Sequence, residues 1–265
     1  MCSDADADTA TAPVTWSSSM PQYSLWQVLA VWAAAALPMA TMAWVVAPTF
    51  AAHAGAGSAF AKWLIGGLTL GLVWQGLLVM MLVRAERGNL RWATLKEALW
   101  LHAPSDPRSG RKGGRLWLAC LPLIAGMWLA GALPEPAHSP WRDFGAFCHS
   151  EAGRAFFAGN WPWYGVVVVM VLFNTVLGEE LLFRGLLLPR MTRAFGRADW
   201  LINGVLFALY HLHMPWVIPG AVLDAFWLAW PTKYFRSAWI GIVVHSTASV
   251  LILVLLLQLV RVPRS

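Results

Sequence analysis

The sequence predicts an all-α fold, a polytopic membrane helix bundle, and its composition, its span lengths and the placement of its basic residues all point there. Hydrophobic residues make up 58% of the chain and charged residues only 12%, against about 25% charged in a soluble domain. Mean hydropathy is +0.58. Apolar runs recur at lengths that suit a hydrocarbon core of about 30 Å, at 1.5 Å per helical residue. The basic residues sit beside those runs. The net charge of +6 is therefore not a nucleic-acid footprint, and the expected surroundings are a lipid bilayer.

Taken in order, residues 1–20 are rich in Ala, Asp, Ser and Thr and read as a disordered tail. Leu25–Ala47 has neither a basic leader nor a small-residue cleavage site, so it reads as a retained helix and not a secretory signal. Trp63–Val83 is a second crossing and Leu116–Leu133 a marginal third, while Trp163–Phe183 and Ala238–Val260 are ample. Between the last two lie Trp200–His213 and Trp216–Trp230, broken at Met214-Pro215. Each covers only ~21–23 Å, so they are short crossings or a re-entrant pair. The expectation is about seven transmembrane or part-crossing helices. The three cysteines, Cys2, Cys120 and Cys148, have no ligand spacing, and their odd number argues against a full disulfide framework.

Basic residues set the expected orientation. The loop 84–115 carries Arg84, Arg87, Arg91, Lys96, Arg108, Arg111, Lys112 and Arg115 against Glu86, Glu97 and Asp106, which marks it as cytoplasmic. Alternation then puts the amino terminus inside and residues 134–162 outside, and it returns Arg190, Arg193, Arg197, Lys233 and Arg236 to the inside. Only Arg261 and Arg264 fall on the wrong side. Tryptophans near span ends, such as Trp26, Trp63, Trp200 and Trp239, suit interfacial anchoring.

Charges are rare within such spans, which makes Gly178-Glu179-Glu180-Leu181-Leu182-Phe183-Arg184-Gly185 informative. A carboxylate facing hydrocarbon costs about 2.5–3.5 kcal/mol on insertion scales. Glu180 and Arg184, four apart, share a helix face in the favoured order and can pair. Glu179 points about 100° away and needs a partner from another helix. A second polar site, Phe207-Ala208-Leu209-Tyr210-His211-Leu212-His213, sets Asn203, Phe207 and His211 roughly along one face. His213, beside the Met214-Pro215 break, reads as a packing residue. The third site places His245 and Ser249 four apart on the last helix. Counted from the cytoplasmic ends, Glu179 lies ~6 Å deep, His245 ~10 Å and His211 up to ~17 Å, so all three can line one water-filled cavity.

A carboxylate and a histidine can hold a water and take its proton, while a second histidine with a neighbouring hydroxyl can donate to an oxyanion. That chemistry is amide hydrolysis without a covalent intermediate. Zinc held by Glu179, His211 and His245 is the minority alternative; the chain lacks HExxH, and no metal is expected to be required. No GxSxG elbow suggests a serine nucleophile.

These three segments, in this order, resemble the CAAX protease and bacteriocin-processing family (CPBP, or Abi) of intramembrane endopeptidases. Its EExxxR motif is matched by Glu179-Glu180-Leu181-Leu182-Phe183-Arg184 with Gly185 following, its FxxxH motif by Phe207 to His211, and its third motif by His245 to Ser249. The resemblance covers about residues 163–260, so the implied organisation is a catalytic bundle at 163–260, preceded at 21–162 by variable helices with their basic loop. It implies Glu179 as the water-activating base, with His211 holding that water. Glu180 would tune Glu179, Arg184 would fix Glu180, and His245 would take the oxyanion with residue 249 assisting. Phe207 and Asn203 support His211. Ser249 departs from the family's usual Asn and offers one rotatable hydroxyl where the amide has two donors.

The expected protein is thus a multi-pass intramembrane endopeptidase of the bacterial inner membrane, amino terminus cytoplasmic, cutting near the cytoplasmic leaflet. Its partner would be a membrane-associated peptide or protein, prenylated or bearing a carboxy-terminal sorting helix. A non-catalytic membrane scaffold or bacteriocin-immunity protein is one alternative, for which Ser249 argues. A proton-coupled transporter, with Asp224 in a relay, is the other; no internal repeat supports it.

Overall fold

The computed structural model describes residues 20–54, 58–136 and 142–263. Cys2, nearly all of the expected tail and Arg264 lie outside the described residues. Among those described, the regular structure is helical, with one isolated antiparallel bridge between Ser105 and Lys112. Five helices are long and apolar enough to cross a membrane: α1 (Leu25–His53), α2 (Ala59–Arg87), α3 (Gly114–Gly131), α4 (Trp161–Arg190) and, after the shorter α5 (Asp199–Tyr210), α6 (Ala238–Val260). A helical membrane bundle is the result. Leu70 is 66% exposed and Leu129 77% exposed on outward faces, as lipid-facing side chains are and as a soluble surface seldom tolerates in bulk.

Local chemistry sets the helix limits. Ser24 and Gln27 form a capping box at the start of α1, with Ser24 N–H donating to Gln27 Oε1 at 2.8 Å and Gln27 N–H to Ser24 Oγ at 3.3 Å. Pro38 inside α1 has no N–H for the carbonyl of Ala34; the Trp74 indole of α2 donates to that carbonyl instead, at 2.8 Å. α2 stops at Gly88, whose φ of 75° is left-handed and whose N–H returns to the Arg84 carbonyl at 2.9 Å.

Residues 200–230 do not form two further long helices. α5 ends at Tyr210, short 3-10 turns follow at His211–His213 and Pro215–Val217, and the chain resumes as Ile218–Ala221, Ala225–Ala229 and Trp230–Phe235. Pro215 and Pro219 each remove a backbone donor within five residues of one another, and the chain turns there in short pieces.

Tryptophans also hold the bundle from within. Trp32 donates to Leu206 O and Trp44 to Leu212 O, both at 2.8 Å, and Trp128 of α3 reaches Thr247 Oγ1 of α6 at 3.1 Å. Two large apolar clusters, and a small one around Ala43, Ala47 and Leu64, result among the described residues. The largest holds Val79, Val83, Leu99, Leu182, Phe183, Leu186 and Leu187 at the end of the bundle near the basic loop. The other large one joins Phe147, Phe156, Phe157, Val167, Leu256 and Val260 at the opposite end.

Candidate active site

The site forms where α2 and α4 come unusually close. A Cβ at Gly76 would lie 2.9 Å from the Phe173 ring and 3.0 Å from Leu177 O, and one at Gly178 would lie 3.0 Å from Leu72 O. Small residues are what allow helix backbones in a membrane to approach like this. The chain neighbours of these glycines, Gln75 and Glu179, are thereby brought to one place. α4 is wound as π-helix on both sides of the glutamate pair, at Phe173–Gly178 and Leu181–Leu187; such wide turns recur at functional sites.

Glu179, 2% exposed, lies on the wall of a cavity of about 480 Å³. Its partner from another helix is Tyr210, at the end of α5. The buried Tyr210 hydroxyl accepts from Gln75 Nε2 at 2.7 Å, so its own proton is directed to the Glu179 carboxylate. Oε2 of Glu179 has no protein partner.

His211 and His245 line the same cavity, as does Ser249. His211 Nδ1 lies 2.9 Å from the Phe207 carbonyl, which can only accept, so Nδ1 carries the proton. In its neutral form the ring then presents Nε2 as an acceptor. His245 Nδ1 lies 3.0 Å from Glu180 Oε1, and Arg184 reaches the same oxygen at 3.4 Å. Glu180 thus joins His245 to Arg184, and its carboxylate is turned to them and away from Glu179. Arg184 is fully buried, with its guanidinium 4.0 Å from the centre of the Phe207 ring. The edges of both histidines meet that same ring, with centroid distances of 4.9 Å for His211 and 5.9 Å for His245. Phe207 is the spacer around which Arg184, His211 and His245 are arranged.

Asn203 is not on the cavity wall. It is buried and donates to the Phe183 carbonyl at 2.8 Å, tying α5 to the π turn of α4. His213 does line the cavity, stacked 5.5 Å from His211, with Nδ1 lacking a protein partner. Asp224 lies in the electrostatic field of Glu180, Arg184 and His245. Gln75 and Tyr210 were not singled out in the sequence. The signals that could have found them were a polar amide in the middle of a crossing and a phenol next to His211.

Among the described residues no three His, Cys, Asp or Glu side chains are placed to hold a metal ion. Away from the site, the cavity wall includes Cys148, whose thiol is pushed up to about 12 by burial and then by the Asp143 carboxylate.

The fold and site define a class: a helical membrane protein with a buried carboxylate and His211, His213 and His245 around one cavity within the bundle. Residues 160–251 are similar to the family model described as Type II CAAX prenyl endopeptidase Rce1-like. No curated protein and no solved structure matches the chain.

Proposed function

We propose that the protein is an intramembrane endopeptidase that hydrolyses a peptide bond with a water held between Glu179 and His211. The observation that carries this reading is the pairing of free and engaged atoms. Glu179 keeps an unpartnered Oε2, while both histidines use Nδ1 elsewhere and keep Nε2 for the cavity. In the reaction, water donates one hydrogen bond to His211 Nε2 and its other proton to Glu179 as its oxygen attacks the amide carbonyl carbon. The developing oxyanion accepts from Nε2–H of protonated His245, whose charge Glu180 balances, and from the Ser249 hydroxyl. Glu179 then passes the proton to the leaving amine as the C–N bond breaks, and the carboxylic acid gives up its remaining proton to that amine, so a carboxylate and an ammonium leave. Arg184 and Phe207 hold the Glu180–His245 pair in place.

The substrate class that fits is a peptide or protein end at the membrane, such as a prenylated tail, a peptide precursor or a carboxy-terminal sorting helix. The test is cleavage of a mixed library of prenylated and unprenylated membrane peptides by protein in liposomes, comparing wild type with Glu179→Ala, with and without chelator. Removing the base should lower the rate by about 10²–10⁴, with wild-type cleavage unaffected by chelator. Cleavage retained in Glu179→Ala, or lost on chelation and restored by zinc, would overturn the mechanism.

A further inference from the structure

The cavity reaches the site from the end opposite the basic loop. Only ~10 Å of helix separates His245 from the start of α6 at Ala238, against ~22 Å to its far end at Val260. The shorter way is closed. Between the glutamates and the basic-loop face lie Leu182, Phe183, Leu186, Leu187 and Leu99, all fully buried. Beneath them is a seal of polar groups. Arg190, fully buried, donates to Glu86 from Nε at 3.0 Å and from Nη2 at 2.6 Å, and through Nη1 to the Leu186 and Ala98 carbonyls at 2.8 and 3.0 Å. Tyr23 adds a hydrogen bond to Glu86 at 2.5 Å. Lys233 pairs with Asp199, and Ser237 Oγ donates to His102 O at 2.6 Å.

Among the described residues, the longer way is open. The cavity wall runs from Glu179, His211 and His245 along Asn174 and Met170 of α4, Leu68 and Leu64 of α2 and Ile252 and Leu255 of α6. It ends at the short helices Phe144–His149 and Glu151–Phe157, where Arg142, His149 and Arg154 stand at the rim. Arg142 is fixed there by the Ala43 carbonyl at 3.0 Å and the Trp44 ring at 4.2 Å.

The geometry points to one-sided access: substrate reaches Glu179 only from the face formed by residues 142–160, opposite the basic loop, as an extended apolar chain end of about seven residues. The length follows from ~22 Å of channel at ~3.3 Å per extended residue, and the apolar character from the aliphatic walls. The inference rests on the proposed reaction only for what happens once the chain arrives, since access can be read without turnover.

The test uses the full chain with Cys2, Cys120 and Cys148 replaced by alanine, in sealed vesicles, labelled by a small membrane-impermeant cationic thiosulfonate. Ser109→Cys, exposed in the basic loop, reports one side, and Asn174→Cys reports the cavity. Ser249→Cys, an exchange of oxygen for sulfur, is the second cavity reporter should Asn174→Cys misfold. Full labelling of each cysteine after denaturation shows that it is present. The expected result is that both cavity cysteines react with reagent on the side opposite Ser109→Cys and lose labelling when the reagent is confined to the Ser109 side. A capped heptaleucine peptide added on the open side should suppress labelling of Ser249→Cys, whereas a heptaserine peptide should not. Cavity labelling from the Ser109 side, labelling from neither side, or equal protection by both peptides would overturn the inference. Sided labelling in a protein that cleaves no peptide would leave access standing and remove the protease reading alone.

Discussion

Gly241 is the residue whose replacement tests the site's packing most directly. It faces the Glu180 carboxylate across the contact between α4 and α6, and a Cβ there would land on Glu180 Oε2, with Thr232 Oγ1 at 3.2 Å and Arg184 Cγ at 3.3 Å. Glu180 cannot swing aside freely, because its other oxygen is held by His245 at 3.0 Å and Arg184 at 3.4 Å. Gly241→Ala therefore either breaks a charge-assisted hydrogen bond, at about 1.5–3 kcal/mol, or pushes α6 away from α4, at about 1–3 kcal/mol for an overpacked core. The cheaper route sets the cost, so the expected loss is about 2 kcal/mol, or roughly 30-fold in the folded-to-unfolded ratio. Thermal unfolding in detergent, followed by loss of the monodisperse peak, reads the change. In a Glu180→Ala background the obstructing oxygen is gone, and the same methyl should cost under about 1 kcal/mol. A Gly241→Ala protein that melts like wild type, or one equally destabilised in both backgrounds, would refute the packing argument.

The polar seal makes a second prediction. Arg190→Met strands Glu86 and should cost about 3–5 kcal/mol, while Arg190→Met with Glu86→Leu should recover much of that loss, as measured by the same unfolding assay. Tyr210→Phe removes the donor that orients Glu179; kcat should fall about 10–100-fold, the worth of a hydrogen bond to a charged group, with KM unchanged in the peptide assay. Alkylation of Cys148 should depend steeply on pH. With the thiol near 12, little thiolate exists at neutral pH, and the rate should climb about tenfold per pH unit from 7 to 9 without a plateau, as followed by mass spectrometry.

Much of the site was legible in the sequence because charge in a crossing is costly and therefore conspicuous. The pair Glu179-Glu180, the spacing of Arg184, and the two histidines stood out against Val, Leu and Phe. The i, i+4 pairing of Glu180 with Arg184 could be read from helix geometry alone, since both residues belong to one segment. Asn203 could not be placed in this way. It shares a helix with His211, but whether its amide meets a cavity or the Phe183 carbonyl depends on the neighbouring helix. Gln75 and Tyr210 escaped notice for the same reason, because an amide and a phenol carry no obligatory charge. Their importance comes only from lying beside Glu179, where Gly76 and Gly178 let α2 and α4 close together.

By itself the sequence determined the membrane class, the long crossings and which ionisable groups lie within them, because hydropathy, helix length and ionisable side chains are properties of short stretches of chain. Tertiary structure decided how those groups are placed. It turned Glu180 toward His245 and Arg184, left Glu179 facing the cavity with Tyr210 behind it, and broke residues 200–230 into short pieces at their prolines. It also closed the near end with Arg190 and Glu86 and ran the cavity wall toward the far end. Such choices depend on which helices touch, and contacts between residues distant in the chain are set by packing, which no local pattern records.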